Sequence, residues 1–174
     1  MKKLLATAAI AAGLLAGGNA FAQSAANTDS ASATASVTIV RPLTITKTTD
    51  LAFGKIVRPR TGTGTVVLAN SGNSVVASAG AVALTSTTSR AVFAVAGEGA
   101  QVVTTTIPST VSLVNGANSI LVTLLPDFGS SVTLSGALAA AGSATLNVGG
   151  SFSVTDTQAS GAYTATFPVT VTYQ

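Results

Sequence analysis

The sequence predicts an all-β fold, a sandwich of antiparallel strands. Three observations carry this. Apolar residues recur at every second position through most of the chain, the period of a strand rather than a helix. Gly, Asn and Pro clusters break the runs at short, regular spacing. The last run alternates over eleven residues: Tyr163, Ala165, Phe167, Val169, Val171 and Tyr173 share one face, with Thr164, Thr166, Pro168, Thr170 and Thr172 on the other.

In chain order, Val37, Ile39, Leu43 and Ile45 fall in one phase, interrupted by Arg41-Pro42. Leu51, Phe53 and Val57 form the next run, and 58–64 reads as a loop. Thr65 to Ala69 is a short strand, followed by a Ser/Gly/Asn loop over 70–80. Val82-Leu84, Ala91-Phe93-Val95 and Val103-Thr105-Ile107 follow. Val111-Leu113 leads to Asn115-Gly116, a hairpin signal because both residues accept positive φ, and Ile120, Val122 and Leu124 answer it. Val132-Leu134, Ala144-Leu146-Val148 and Phe152-Val154 complete the middle, and only 136–142 has a helical leaning, of a turn or two. Pro168 cannot donate to a ladder, so the final strand should lie at an edge or carry a bulge.

The first residues read differently. Lys2 and Lys3 precede an apolar run over 4–18, and Ala20-Phe21-Ala22 supplies the small residues a signal peptidase reads. The expectation is a cleaved signal peptide over 1–22, with Gln23 as the mature start. The apolar run is shorter than the roughly 20 residues of a spanning helix, and no second run of that length follows, so no transmembrane segment is expected in the mature chain. Export through the periplasm to the cell surface or medium is the expected route. Residues 23–36 hold no large apolar group and should be loose in isolation. Yet Ala31, Ala33 and Ala35 are in phase with Val37 and Ile39, so this tail has the pattern of a strand in want of an edge. Residues 37–174 would be a single sandwich domain.

Charge excludes some partners. Two of the eight Lys+Arg are Lys2 and Lys3, which leaves six basic against five acidic residues, a net +1. That balance gives no footing for nucleic acid. Charged residues make up 7% of the chain, against about 25% in ordinary globular domains. A surface of Ser, Thr, Asn and Gly has little repulsion to keep neighbours apart, which suits an assembly. Without Cys no disulfide can form, so burial, sheet hydrogen bonds or a partner must stabilise the fold.

The chemistry is equally bounded. With no His and no Cys, imidazole proton transfer, Ser-His and Cys-His pairs and most transition-metal sites are absent. Asp29, Asp50, Glu98, Asp127 and Asp156 stand singly, without calcium-loop spacing. Gly62-Thr63-Gly64 and Gly97-Glu98-Gly99 precede no helix with a phosphate-binding Lys and read as turns. No catalytic, cofactor or metal residue is expected, and the chain does not read as an enzyme. Lys55, Arg58 and Arg60 form the one charge cluster, either a solvated loop or a contact point for anionic polysaccharide or a neighbouring subunit.

The motifs Leu51-Ala52-Phe53-Gly54-Lys55-Ile56-Val57, Phe93-Ala94-Val95-Ala96-Gly97, Ile107-Pro108, Val111-Ser112-Leu113-Val114-Asn115-Gly116 and Val148-Gly149-Gly150, with the Gly161 to Tyr173 run, resemble a family of exported bacterial β-sandwich domains of unknown function. A looser likeness joins the C-terminus to subunits of chaperone–usher fimbriae, including common-pilus-type and spore-coat-type proteins. Those end in an alternating strand with a penultimate aromatic and a Gly fourteen residues from the end, the places held here by Tyr173 and Gly161. Many of them carry a disulfide, which this chain lacks. The likeness implies an immunoglobulin-like, pilin-like sandwich short of one strand. A periplasmic chaperone, then the tail of the next subunit, would supply that strand. It also implies a donor strand within 31–40, carried by Ala31, Ala33, Ala35, Val37 and Ile39. The acceptor edge would be lined by Tyr163, Phe167, Val169, Val171 and Tyr173. Alternatively, 31–45 is the first strand of a complete sandwich.

The leading functional expectation is therefore a non-enzymatic structural subunit, partnered by copies of itself or other subunits and by a chaperone and usher. The rival is a monomeric exported binding module, for example for glycans. Of the seven aromatics after residue 22, only Phe128, beside Pro126 and Gly129, falls outside strand phase as an exposed platform. A small outer-membrane barrel is the third reading; the chain has no Trp, no aromatic girdle and ends Tyr-Gln.

Overall fold

The computed structural model describes residues 29–174. The expected cleavage site at Ala20, Ala22 and Gln23 lies outside them. The chain divides after Val37; residues 29–37 carry no strand, and the β domain is Thr38–Gln174.

Among the described residues there is no helix, and every strand pairing is antiparallel. The strands are β1 (Thr44–Thr49), β2 (Lys55–Val57), β3 (Thr63–Leu68), β4 (Val75–Ser78), β5 (Val82–Leu84) and β6 (Ala91–Glu98). They continue with β7 (Val102–Thr106), β8 (Thr110–Asn115), β9 (Asn118–Pro126), β10 (Ser131–Thr133), β11 (Ala141–Thr155) and β12 (Thr170–Tyr173). Seven strands form one sheet, β1-β6-β11-β3-β4, with β9 on β11 and β8 on β9; β10-β7-β12 and β2-β5 form two smaller sheets. Together they enclose one apolar core in a sandwich arrangement.

The alternation of the sequence becomes the inside and outside of these sheets. Val66, Val95, Val103, Val122 and Leu146 are fully buried, and their sequence neighbours face out or sit half-covered; Val148 is fully buried too, beside the buried Gly149. β11 is the axis. Its first half pairs with β6 up to Val148, and its second half pairs with β3 from Gly150. Phe152 is matched by Val66 on one side and Val122 on the other, so the strand is central there. The two runs expected at 144–148 and 152–154 are thus one strand, continuous through Gly149-Gly150.

Other expectations are corrected by the tertiary context. Residues 29–43 carry no strand, so Val37 and Ile39 do not extend β1; Ile39 is 88% exposed, whereas Leu43 and Ile45 turn inward. Pro42 has no N–H to give a ladder. The run through Leu51, Phe53 and Val57 changes phase at Gly54, whose φ of 71° suits a residue without Cβ; beyond it Ile56 faces in and Val57 faces out. The loop expected over 70–80 contains β4, because Val75 to Ser78 finds the free edge of β3. The helical leaning at 136–142 resolves as a turn with Ala139 at φ 68°, and β11 begins at Ala141. The eleven-residue C-terminal strand is split. Its alternation holds, with Tyr163, Phe167, Val169, Val171 and Tyr173 packed on the core, but its pairing does not. Thr164 makes a single bridge to Val114, residues 165–169 have no ladder partner, and β12 joins β7. Because Pro168 cannot donate, a break there costs the ladder little.

Candidate functional site

Two strand edges and one cavity define the site. β1 is bonded only to β6, and β12 only to β7, so each ends its sheet. They approach each other, yet no ladder joins them. Each alternates: Ile45, Val171 and Tyr173 turn inward, whereas Thr44, Thr46, Thr170 and Thr172 are exposed. Both therefore offer a row of backbone donors and acceptors beside a half-covered apolar face.

One end of this arrangement is tied. The Tyr173 hydroxyl accepts the Glu98 N–H at 2.7 Å and donates to the Arg41 carbonyl at 3.0 Å. Glu98, 3% exposed, turns its carboxylate back to accept the N–H groups of Arg41 at 3.2 Å and of Ala139. The Arg41 guanidinium stands 3.9 Å from the same carboxylate. A buried carboxylate needs such partners, and here two backbone donors and one cation supply them. This cluster fixes the point where the chain enters β1. In sequence Gly97-Glu98-Gly99 reads as a plain turn, and the one signal of more is an acid closing an otherwise apolar strand.

At the other end the sheets part around a cavity of about 930 Å³. Its floor is the core itself: Phe93, Ile120, Val122, Phe152 and Val154 all line it. Phe53 stands edge-on to Phe152 at 5.0 Å, and Phe167 to Phe93 at 6.3 Å. One wall is the stretch from Lys47 to Arg58, the other residues 158–167. The rim is polar. Lys47 pairs with Asp50 at 2.5 Å, and Arg58 Nη1 donates to the Gln158 carbonyl at 2.5 Å. The Gln158 amide donates to the Tyr163 hydroxyl at 2.7 Å, which donates to the Ala159 carbonyl at 2.8 Å.

Of the residues expected at an acceptor edge, Gly161, Tyr163 and Phe167 line the cavity; Val169, Val171 and Tyr173 pack on the core beyond it. Gly161, at φ 147°, sits against the Asn115 side chain of the β8–β9 turn. Ala31, Ala33, Ala35, Val37 and Ile39 lie in strand-free, exposed chain. Lys55 and Arg60 are exposed, and of the three basic residues only Arg58 reaches the rim. Among the described residues no three His, Cys, Asp or Glu side chains gather as a metal site, and no helix is long and apolar enough to cross a membrane.

No curated protein and no solved structure matches the chain. One family model does match, over residues 43–173, a span that begins one residue before β1 and ends with β12. The exposed stretch before Pro42 lies outside it. All twelve strands of the described residues and the residues that line the cavity lie within that span, and the chain belongs to the family described as "Domain of unknown function (DUF4402)".

Proposed function

We propose that this protein is a non-enzymatic, exported structural subunit that assembles on the cell surface by strand addition, each copy accepting a tail strand from another. The supporting observation is the pair of open edges, β1 and β12, with β1 reaching through Lys47 to the rim of a cavity that opens onto the core. An open edge supplies backbone hydrogen bonds, and an apolar trough supplies pockets for alternate side chains. The occupant is the stretch 31–40 of a second copy. Its inward set, Ala31, Ala33, Ala35, Val37 and Ile39, spans roughly 26 Å when extended at about 3.3 Å per residue. The apolar side chains closest to the donor's own domain, Val37 and Ile39, are the ones large enough to fill a cavity floored by Phe93 and Phe152. In transit a periplasmic chaperone strand would cover the same edges.

Electron microscopy of sheared surface material, with this protein identified in it, tests the reading. Filaments, and ladders that resist SDS until boiled, are the expected result. Removing residues 23–40 should abolish both. A stable monomer from both the full mature chain and the truncated one would overturn the proposal.

A further inference from the structure

The sheet face opposite the cavity has a character of its own. β3, β4, β8, β9 and β11 contain no charged residue. Pairing fixes what these strands present outward. Thr110, Thr123 and Ser151 form one rank across β8, β9 and β11, continued by Val67 and Val76 on β3 and β4. The next rank holds Ser112 opposite Leu121, and Ser153 opposite Thr65 and Ser78. Three aliphatic side chains stand exposed among these hydroxyls: Leu121 at 62%, Val76 at 65% and Val114 at 50%. Both outer strands, β4 and β8, lack the Lys or Glu guards that usually keep sheet edges from associating.

We infer that this face is a self-association surface, contacting the same face of a second copy. A two-fold contact sets one patch against itself, so its polar groups must tolerate their own kind. Ammonium and carboxylate groups repel themselves. A hydroxyl is both donor and acceptor, so a Ser/Thr face can hydrogen-bond to an identical one. The aliphatics then gain burial that water denies them. Size sets the strength. Five strands at about 4.8 Å and some five residues at about 3.4 Å give roughly 400 Å² per copy. A durable interface needs about 800 Å² per partner. A lone pair of faces is therefore a weak, reversible contact, which becomes effective when many copies are held in a row.

The test keeps strand addition out of the way. The mature chain carrying Val37→Asp and Ile39→Asp serves as background, since both sites are exposed outside any strand. Sedimentation velocity is measured from about 10 μM to about 1 mM, the range of a contact this small. The background chain should show a rising weight-average coefficient. Adding Leu121→Lys with Ser153→Lys should remove the rise, as should Leu121→Glu with Ser153→Glu. Mixing the two variants should restore it, and 1 M salt should partly restore it in each variant alone by screening repulsion. A background chain that stays monomeric throughout overturns the inference. So do charged variants that associate as the background does, or a mixture that stays monomeric. Retention of the background chain, but not the Lys variant, on a neutral polysaccharide without self-association would assign the face to a glycan and equally overturn it.

Discussion

Tyr173 and Arg41 stand 132 residues apart in the chain, yet the hydroxyl of one donates to the carbonyl of the other at 3.0 Å. The same hydroxyl accepts the Glu98 N–H at 2.7 Å. One oxygen at the end of β12 thereby ties the entry of β1 to the end of β6. The penultimate aromatic is thus an anchor as well as an apolar side chain.

Tyr173→Phe keeps the ring on the core and removes both hydrogen bonds. A loss of about 1–2 kcal/mol is expected, since the Glu98 N–H is left without its acceptor. Urea unfolding monitored by circular dichroism reads it. Stability equal to the parent chain would mean that water replaces the hydroxyl without cost.

Glu98 separates charge from geometry. Glu98→Ala leaves the N–H groups of Arg41 and Ala139 without an acceptor and should cost about 2–4 kcal/mol. Glu98→Gln retains one amide oxygen and should cost less than half as much. Chemical denaturation of the two variants checks the order, and equal losses would contradict it.

Phe167 borders the cavity, whereas Leu146 is sealed in the core. Leu146→Ala should destabilise the fold by about 2–5 kcal/mol through the space it leaves. Phe167→Ala should cost roughly 1–2 kcal/mol, because the half-buried ring loses its partner Phe93 but opens no closed void. If the cavity receives a strand, Phe167→Ala should also abolish SDS-resistant ladders while the monomer stays folded. Ladders at parental abundance would remove this residue from the acceptor surface.

Gly161 holds φ at 147°, where a Cβ is strained, and a Cβ there would also collide with the Asn115 amide. Gly161→Ala should cost roughly 1–3 kcal/mol. Pairing it with Asn115→Ala removes the collision but not the backbone strain, so the double variant should recover only part of the loss. Thermal melts of the two single variants and the double variant form the cycle that reads it.

Much of the fold was legible because strand alternation is a local property. Val95, Leu146 and Val148 announce their burial through the polar or small residues on either side, and Asn115-Gly116 announces a hairpin in which Gly116 alone takes positive φ, at 57°. The membership of residues 43–173 in one family was legible for the same reason, in the order of short motifs around these strands. Pairing was not legible, because a strand's pattern says which face is buried and not which edge is bonded. The alternation from Tyr163 to Tyr173 reads as one strand, and only the tertiary structure divides it between β8 and β7 and leaves 165–169 unpaired. The Ala-rich stretch up to Ile39 reads as a strand too, yet a strand needs a neighbour, and none is bonded to it here. Glu98 reads as a turn residue in sequence because the partners that let its carboxylate be buried, Arg41 and Ala139, come from distant parts of the chain. The sequence by itself determined an antiparallel β domain with little charge and no imidazole or thiol chemistry. The tertiary structure decided where that domain is left open, because an unpaired edge is a relation between strands rather than a property of either one.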